Sequence, residues 1–278
     1  MKQKVKISDI FIRVFMWLYA FIVVLPILWV IITSLKTNQE FVQNPWGLFS
    51  SPQFINYANA WGKVKFNIYA LNSVVLTVIA VLLSTVLACC AAYVLVRMRF
   101  FGASGLLSFF IAGLYIPIVL ILPSEFEMLS RMNLIDSHLG LCLVYIAFCL
   151  PYSILVMSGF FKSIPKELED AAYIDGCSRF KTFWKIIMPV SKNGIITMAI
   201  FNFLWVWNNF VIALTLIISD EKRTLPVGLI ALMSTFKLKA DWVTLFAGIN
   251  MVMLPTVIVY IIFQKSLQEG LSGGAVKG

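Results

Sequence analysis

The one long charged segment of this otherwise apolar chain is Ser163 to Pro189, reading SIPKELEDAAYIDGCSRFKTFWKIIMP. Its left half sets Glu169, Asp170 and Asp175 among the small residues Ala171, Ala172 and Gly176. Leu168, Ala171, Ala172 and Asp175 recur at helical spacing, and the face they form is small rather than greasy. The chemistry such a face supports is close docking into a groove of another protein. The plainer alternative is a solvated loop between two membrane spans, because a short motif without its context is only a hypothesis.

The elements that must present these residues are two short helices. Ser163 is a candidate N-cap and Pro165 a candidate first helical residue, where a missing N–H costs nothing. Glu167, Glu169 and Asp170 suit the positive end of the helix dipole. Gly176 can close the helix in a left-handed turn that a Cβ resists. After Ser178, a second candidate cap, Phe180, Phe183, Trp184 and Ile187 recur at i, i+3, i+4 and i+7, one apolar stripe. With Arg179, Lys181 and Lys185 off that stripe, the right half suits a helix at a membrane surface or under a bundle.

The rest of the chain reads as membrane. Of 278 residues 60% are hydrophobic and 13% charged, about half the charge of an ordinary soluble domain. Runs of about 20 apolar residues are needed to cross a bilayer. Six are predicted, over residues 14–32, 68–96, 103–123, 139–161, 194–219 and 243–263. With the N-terminus inside, Lys and Arg gather on the inner side (Lys2, Lys4, Lys6, Arg13, Arg97, Arg99, Lys162, Lys166 and the basic residues of 179–192). That asymmetry predicts cytoplasmic N- and C-termini and a cytoplasmic 163–189 loop. The net charge of +9 therefore follows one membrane face and does not point to nucleic acid. The five cysteines show no metal or CxxC spacing and read as small apolar filler.

The outer segments are Ser34 to Asn67, rich in Pro, Asn and aromatic residues, and Ser124 to His138, which carries Glu125, Glu127 and Asp136. No Asp, Glu, Lys, Arg or His falls well inside any predicted span, so no proton relay or ion pathway is expected. There is no G-x-x-x-x-G-K-[ST] loop for nucleotide. A transporter with neither feature, but with a docking helix, needs a separate ATPase; a passive pore or structural subunit is the rival from another class. Within the fifth span Trp207, Asn208 and Asn209 offer ring faces and amides suited to sugar rings and hydroxyls. The alternative for those amides is bonding to neighbouring helices.

The run Glu169-Asp170-Ala171-Ala172-x-x-Asp175-Gly176, followed by Pro189, resembles the EAA loop of ABC importer permeases. PKELEDAAYIDG, Trp207-Asn208-Asn209-Phe210, Asn72-Ser73, Ala91-Ala92-Tyr93 and the terminal GLSGGAVKG resemble the sugar-importer branch, closest to the six-span maltose-type subunit. The resemblance implies an all-α, integral-membrane, type I ABC importer permease fold in the bacterial cytoplasmic membrane. It implies a non-catalytic subunit, with ATP and Mg²⁺ held by a partner ATPase dimer. A second permease and an extracytoplasmic sugar-binding protein complete the expected partners. Glu169 and Asp175 would offer charge-assisted hydrogen bonds to basic groups of the ATPase cleft. Asp170 and Cys177 depart from the family's usual Glu and Ala. The small, flexible end, Gly270 to Gly278, would reach the ATPase through Gly273, Gly274 and Lys277, the alternative being ordinary disorder. A permease for another small solute is the nearest competing reading.

Overall fold

The computed structural model describes residues 7–275, apart from 64, 99 and 239. All regular elements among them are helical. In order they are α1 (Ile7–Ser34), α2 (Asn38–Gln43), α3 (Ile55–Lys63), α4 (Phe66–Arg97), α5 (Ala103–Ala112) and α6 (Ile118–Arg131). Then come α7 (His138–Ser163), α8 (Glu167–Ile174), α9 (Arg179–Thr182), a π-helical turn over Phe183–Ile187 and α10 (Met188–Val190). The chain continues through α11 (Lys192–Trp207), α12 (Val211–Leu216), α13 (Leu225–Leu238) and α14 (Trp242–Ala275). Among the described residues α1, α4, α7 and α14 are long and apolar enough to cross a membrane. Two bent pairs raise the number to as many as six.

One bend falls where the sequence suggested a straight span. A kink of 104° separates the helix ending at Tyr115 from α6. Ile116 lies between them in an extended conformation, as the residue before Pro117 is driven to do. Pro123, expected to end the third span, lies inside α6. The helix therefore runs on through Ser124 to Arg131, and Glu125 belongs to a bent apolar pair rather than to an outer loop. A second bend, of 76°, separates residues 179–190 from α11. The expected span over 194–219 is likewise broken, between α11 and α12 at Asn208 to Phe210. The link between the expected fifth and sixth spans contains α13. The expected flexible end is helical to Ala275, including Gly273 and Gly274, while Lys277 lies outside the described residues. Each interior glycine costs about 1 kcal/mol relative to alanine, which a helix held through its span tolerates.

The chain forms two compact units. One comprises residues 1–67 and 228–254. Here the Pro- and Asn-rich segment after α1 is folded by side chain-to-backbone bonds, as a buried irregular backbone requires. Asn56 donates through Nδ2 to the carbonyls of Ser34 and Lys36. Lys36 is fully buried, and its Nζ donates to the carbonyls of Asn44 and Pro45 at 3.0 and 2.9 Å. Burial pulls its amine below the usual value, with Glu40 pushing the other way. Trp29 packs edge-on against Phe246 and beside Trp46, and its Nε1 donates to Pro45 O.

The other unit comprises residues 68–227 and 255–278. One core gathers Leu141, Tyr145, Cys149, Ile212 and Leu216; a second gathers Tyr93, Met157, Phe161, Phe183 and Met198. Between them a small polar cluster ties α4, α7 and α11, with Asn202 Nδ2 donating to Ser153 Oγ at 2.9 Å and Ser84 Oγ at 3.3 Å. Helices α7 and α11 approach closely at Gly194, where a Cβ would stand 2.5 Å from the Phe160 ring. A junction outside the spans is made by Asp136, whose carboxylate accepts from Ser219 Oγ, the Ile218 and Ser219 amides and Lys222 Nζ. His138, expected to be exposed or interfacial, is part-buried with Nε2 2.9 Å from the Lys222 carbonyl.

Candidate coupling segment and cavity

Helix α8 begins at Glu167 rather than at the expected Ser163 cap. The preceding span runs through Ser163, whose Oγ donates back to the Phe160 carbonyl. At the other end, Gly176 adopts φ +76. Its N–H donates to Tyr173 O at 3.1 Å, and the Cys177 N–H donates to Ala172 O at 2.9 Å. These two bonds are a Schellman closure, which satisfies carbonyls the helix leaves free. No atom lies within 4 Å of a Cβ built on Gly176, so backbone handedness, not crowding, calls for glycine here.

The faces of α8 are unlike. Leu168, Asp170, Ala171, Tyr173, Ile174, Asp175 and Gly176 are exposed, with Ile174 at 87%. Glu169 and Ala172 are buried. Glu169 Oε1 lies 3.2 Å from Arg97 Nε at the end of α4, both side chains almost wholly enclosed. The two atoms are not aligned as a hydrogen bond, so the contact is a close charge pair. Arg97 Nη2 also donates to the Ile164 carbonyl, in the link between α7 and α8. One guanidinium thus holds a span, a link and the short helix together. The Glu169 carboxylate is directed at its own chain, which leaves Asp170 and Asp175 as the acids offered outward. This pairing is not legible in residue spacing, because nothing in spacing joins the end of α4 to α8.

Ser178 caps α9 as expected, its Oγ accepting from Lys181 N. The aromatic stripe behind it is divided. Phe183 and Ile187 are buried while Phe180 is 74% exposed. The π-turn adds a residue to the repeat and rotates the later positions away from a 3.6-residue stripe. Phe183 meets Tyr93 with ring centroids 4.8 Å apart.

Trp207, Asn208 and Asn209 fall at the break after α11. Trp207 is buried and stacks on Phe203 at 5.8 Å. Asn208 is exposed, donating to Leu204 O and accepting from Thr256 Oγ1. Asn209 keeps a buried Oδ1 without a partner and lines a cavity of about 510 Å³ with Asn208 and Trp205. Beside it lies a larger cavity, of about 1060 Å³, built from the bent α5–α6 pair, α7 and α11. Phe148, Tyr152, Phe201 and Trp205 supply ring walls, and Glu125 lies among them. Sequence reading missed Glu125 because it followed Pro123.

The sequence pattern of the family described as "Binding-protein-dependent transport system inner membrane component" matches residues 80–272. The diacetylchitobiose uptake system permease protein NgcG of Streptomyces coelicolor is 35% identical over 94% of this chain and 86% of its own length. The trehalose transport system permease protein SugB of Mycobacterium tuberculosis is 31% identical over 91% of this chain and 92% of its own. A chain of a bacterial ABC transporter involved in the import of the acidic polysaccharide alginate superposes with a TM-score of 0.84 at 22% identity, covering 95% of this chain and 99% of that one. The bent helices, the anchored short helix and these likenesses agree. The chain belongs to the family of inner-membrane components of binding-protein-dependent transport systems and has the type I ABC importer permease fold.

Proposed function

We propose that this chain is the permease subunit of an ATP-driven sugar importer, lining half of the translocation pathway beside a second permease. Relatives named for diacetylchitobiose and trehalose transport support the sugar reading. The family description supports an extracytoplasmic binding protein as a further partner. The bent pairs are taken as one span each, giving six, with both termini and the 163–189 segment on the cytoplasmic side of a bacterial plasma membrane. ATP and Mg²⁺ belong to a separate ATPase dimer that α8 engages, and this chain catalyses nothing itself.

One observation carries the coupling role: α8 is held from within by Arg97–Glu169 while Asp170, Ala171, Asp175 and Gly176 face outward. A short helix that shows a small, acidic face and is rigidly tied to a span can pass a push from a docked partner to that span. Asp170 and Asp175 are placed to accept charge-assisted hydrogen bonds from basic groups of the ATPase. Gly273, Gly274 and Lys277 are assigned to tail contacts with it. Trp207, Asn208 and Asn209 are assigned to the substrate path on the strength of the neighbouring cavity.

The test is reconstitution of both permeases, the ATPase and the binding protein in proteoliposomes. ATP-dependent uptake of a neutral disaccharide is expected, and Gly176→Val is expected to lose uptake and ATPase association while still inserting. Normal uptake and normal ATPase association by Gly176→Val would remove α8 from the coupling role.

A further inference from the structure

We propose that the 1060 Å³ cavity is a sugar-contact site within this chain, with Glu125 as the acceptor that selects neutral over anionic saccharides. The inference rests on the sugar-importer reading. Glu125 is 7% exposed, its Oε2 has no hydrogen-bond partner, and it forms no ion pair among the described residues. A buried carboxyl in that condition is costly, whether ionised or merely unbonded, and native structures rarely leave one without purpose. A ligand hydroxyl or amide N–H donated to it would relieve the cost.

The cavity walls fit such a ligand. Tyr152 and Phe201 meet edge to face at 5.6 Å, and Trp205 is set between Tyr145 and Phe148 at 5.8 and 5.9 Å. These contacts hold the rings in place as platforms on which the apolar faces of pyranose rings pack. An apolar chamber of this volume with few fixed polar groups is the usual form of a small-molecule site. A uronate or other anionic sugar would bring like charge to a carboxylate in a poorly solvated place, and that repulsion discriminates against it. Neutral hydroxyl- or acetamido-bearing sugars meet no such obstacle.

The experiment uses the two-permease–ATPase complex in nanodiscs without binding protein, and saturation-transfer NMR with diacetylchitobiose, trehalose, maltose and digalacturonate. The full transporter is assayed for uptake of the same sugars in parallel. At least one neutral sugar is expected to bind, and digalacturonate to bind at least tenfold more weakly. Glu125→Ala should weaken the neutral sugar at least tenfold, while Glu125→Gln should narrow the gap between neutral and anionic ligands. Should Glu125→Ala fail to assemble, Glu125→Gln alone decides the matter. Uptake of a neutral sugar with unchanged binding by these variants overturns the site and leaves the importer reading intact. Uptake with no binding to the wild-type complex does the same. Absence of uptake for every sugar removes both.

Discussion

Two glutamates are buried among the described residues, and their surroundings differ completely. Glu169 faces Arg97, with side-chain exposures of 11% and 5%, and joins the end of α4 to α8. Glu125 faces a chamber and has no cation beside it among the described residues. The first is already satisfied by the fold and its work is mechanical linkage. The second is a cost that the fold alone does not recover. Burial by itself therefore does not distinguish a strut from a binding group; the presence of a counter-charge does.

Several substitutions would break that contrast or draw it more sharply. Arg97→Ala strands Glu169 in a poorly solvated place, and removing one member of a buried pair costs about 3–5 kcal/mol. Thermal unfolding in detergent should show the loss, together with protease cutting in the 164–178 region. Adding Glu169→Leu to Arg97→Ala should return most of that stability without restoring transport. Gly176→Val forces a β-branched residue to φ +76, a strain of about 1–3 kcal/mol. Its fingerprint is lost ATPase association with membrane insertion retained, read by co-purification and fractionation. Glu125→Leu should leave the melting temperature unchanged or raised, because it removes an unpaired polar group. A fall as large as that of Arg97→Ala would show that Glu125 has a structural counter-charge after all.

The smallest effect is a pH dependence outside the spans. The Ser219 hydroxyl, then the Ser219 amide and Lys222, hold the Asp136 carboxyl well below the usual carboxylate range, against the opposing effect of burial. A depressed folded value means the stabilisation is fully present above the ordinary carboxylate value, about pH 4. It is lost as pH falls through the folded value. The stability gap between wild type and Asp136→Asn should be flat above about pH 5 and close in strong acid. A gap that widened on acidification would contradict the assigned bonding.

Much of the architecture was legible in the sequence where a long apolar run had polar ends. Residues 68–96 became Phe66–Arg97, and residues 139–161 became His138–Ser163. Gly176 was legible too, since only a left-handed turn needs glycine between a short polar helix and Cys177. What failed were local exceptions to periodicity. Ile116–Pro117 breaks a run whose composition is uniformly apolar, so hydropathy passes over it. Pro123 looked like a stop but is tolerated inside α6, and that error hid Glu125. The π-turn at Phe183–Ile187 shifts a stripe that a fixed period predicts as continuous. Arg97–Glu169 and the enclosure of Lys36 depend on which distant segments meet, and no short window carries that information.

The left-handed turn at Gly176 has a chemical consequence. At φ +76 an L-residue is strained, but a residue of mirror-image configuration is at ease. A subunit assembled by peptide ligation with D-alanine at position 176 would keep the turn and add bulk alone. If that subunit imports like the parent, the position is valued for its handedness. If it does not, added bulk at this turn is itself harmful, and the proposed docking needs the close approach that glycine allows.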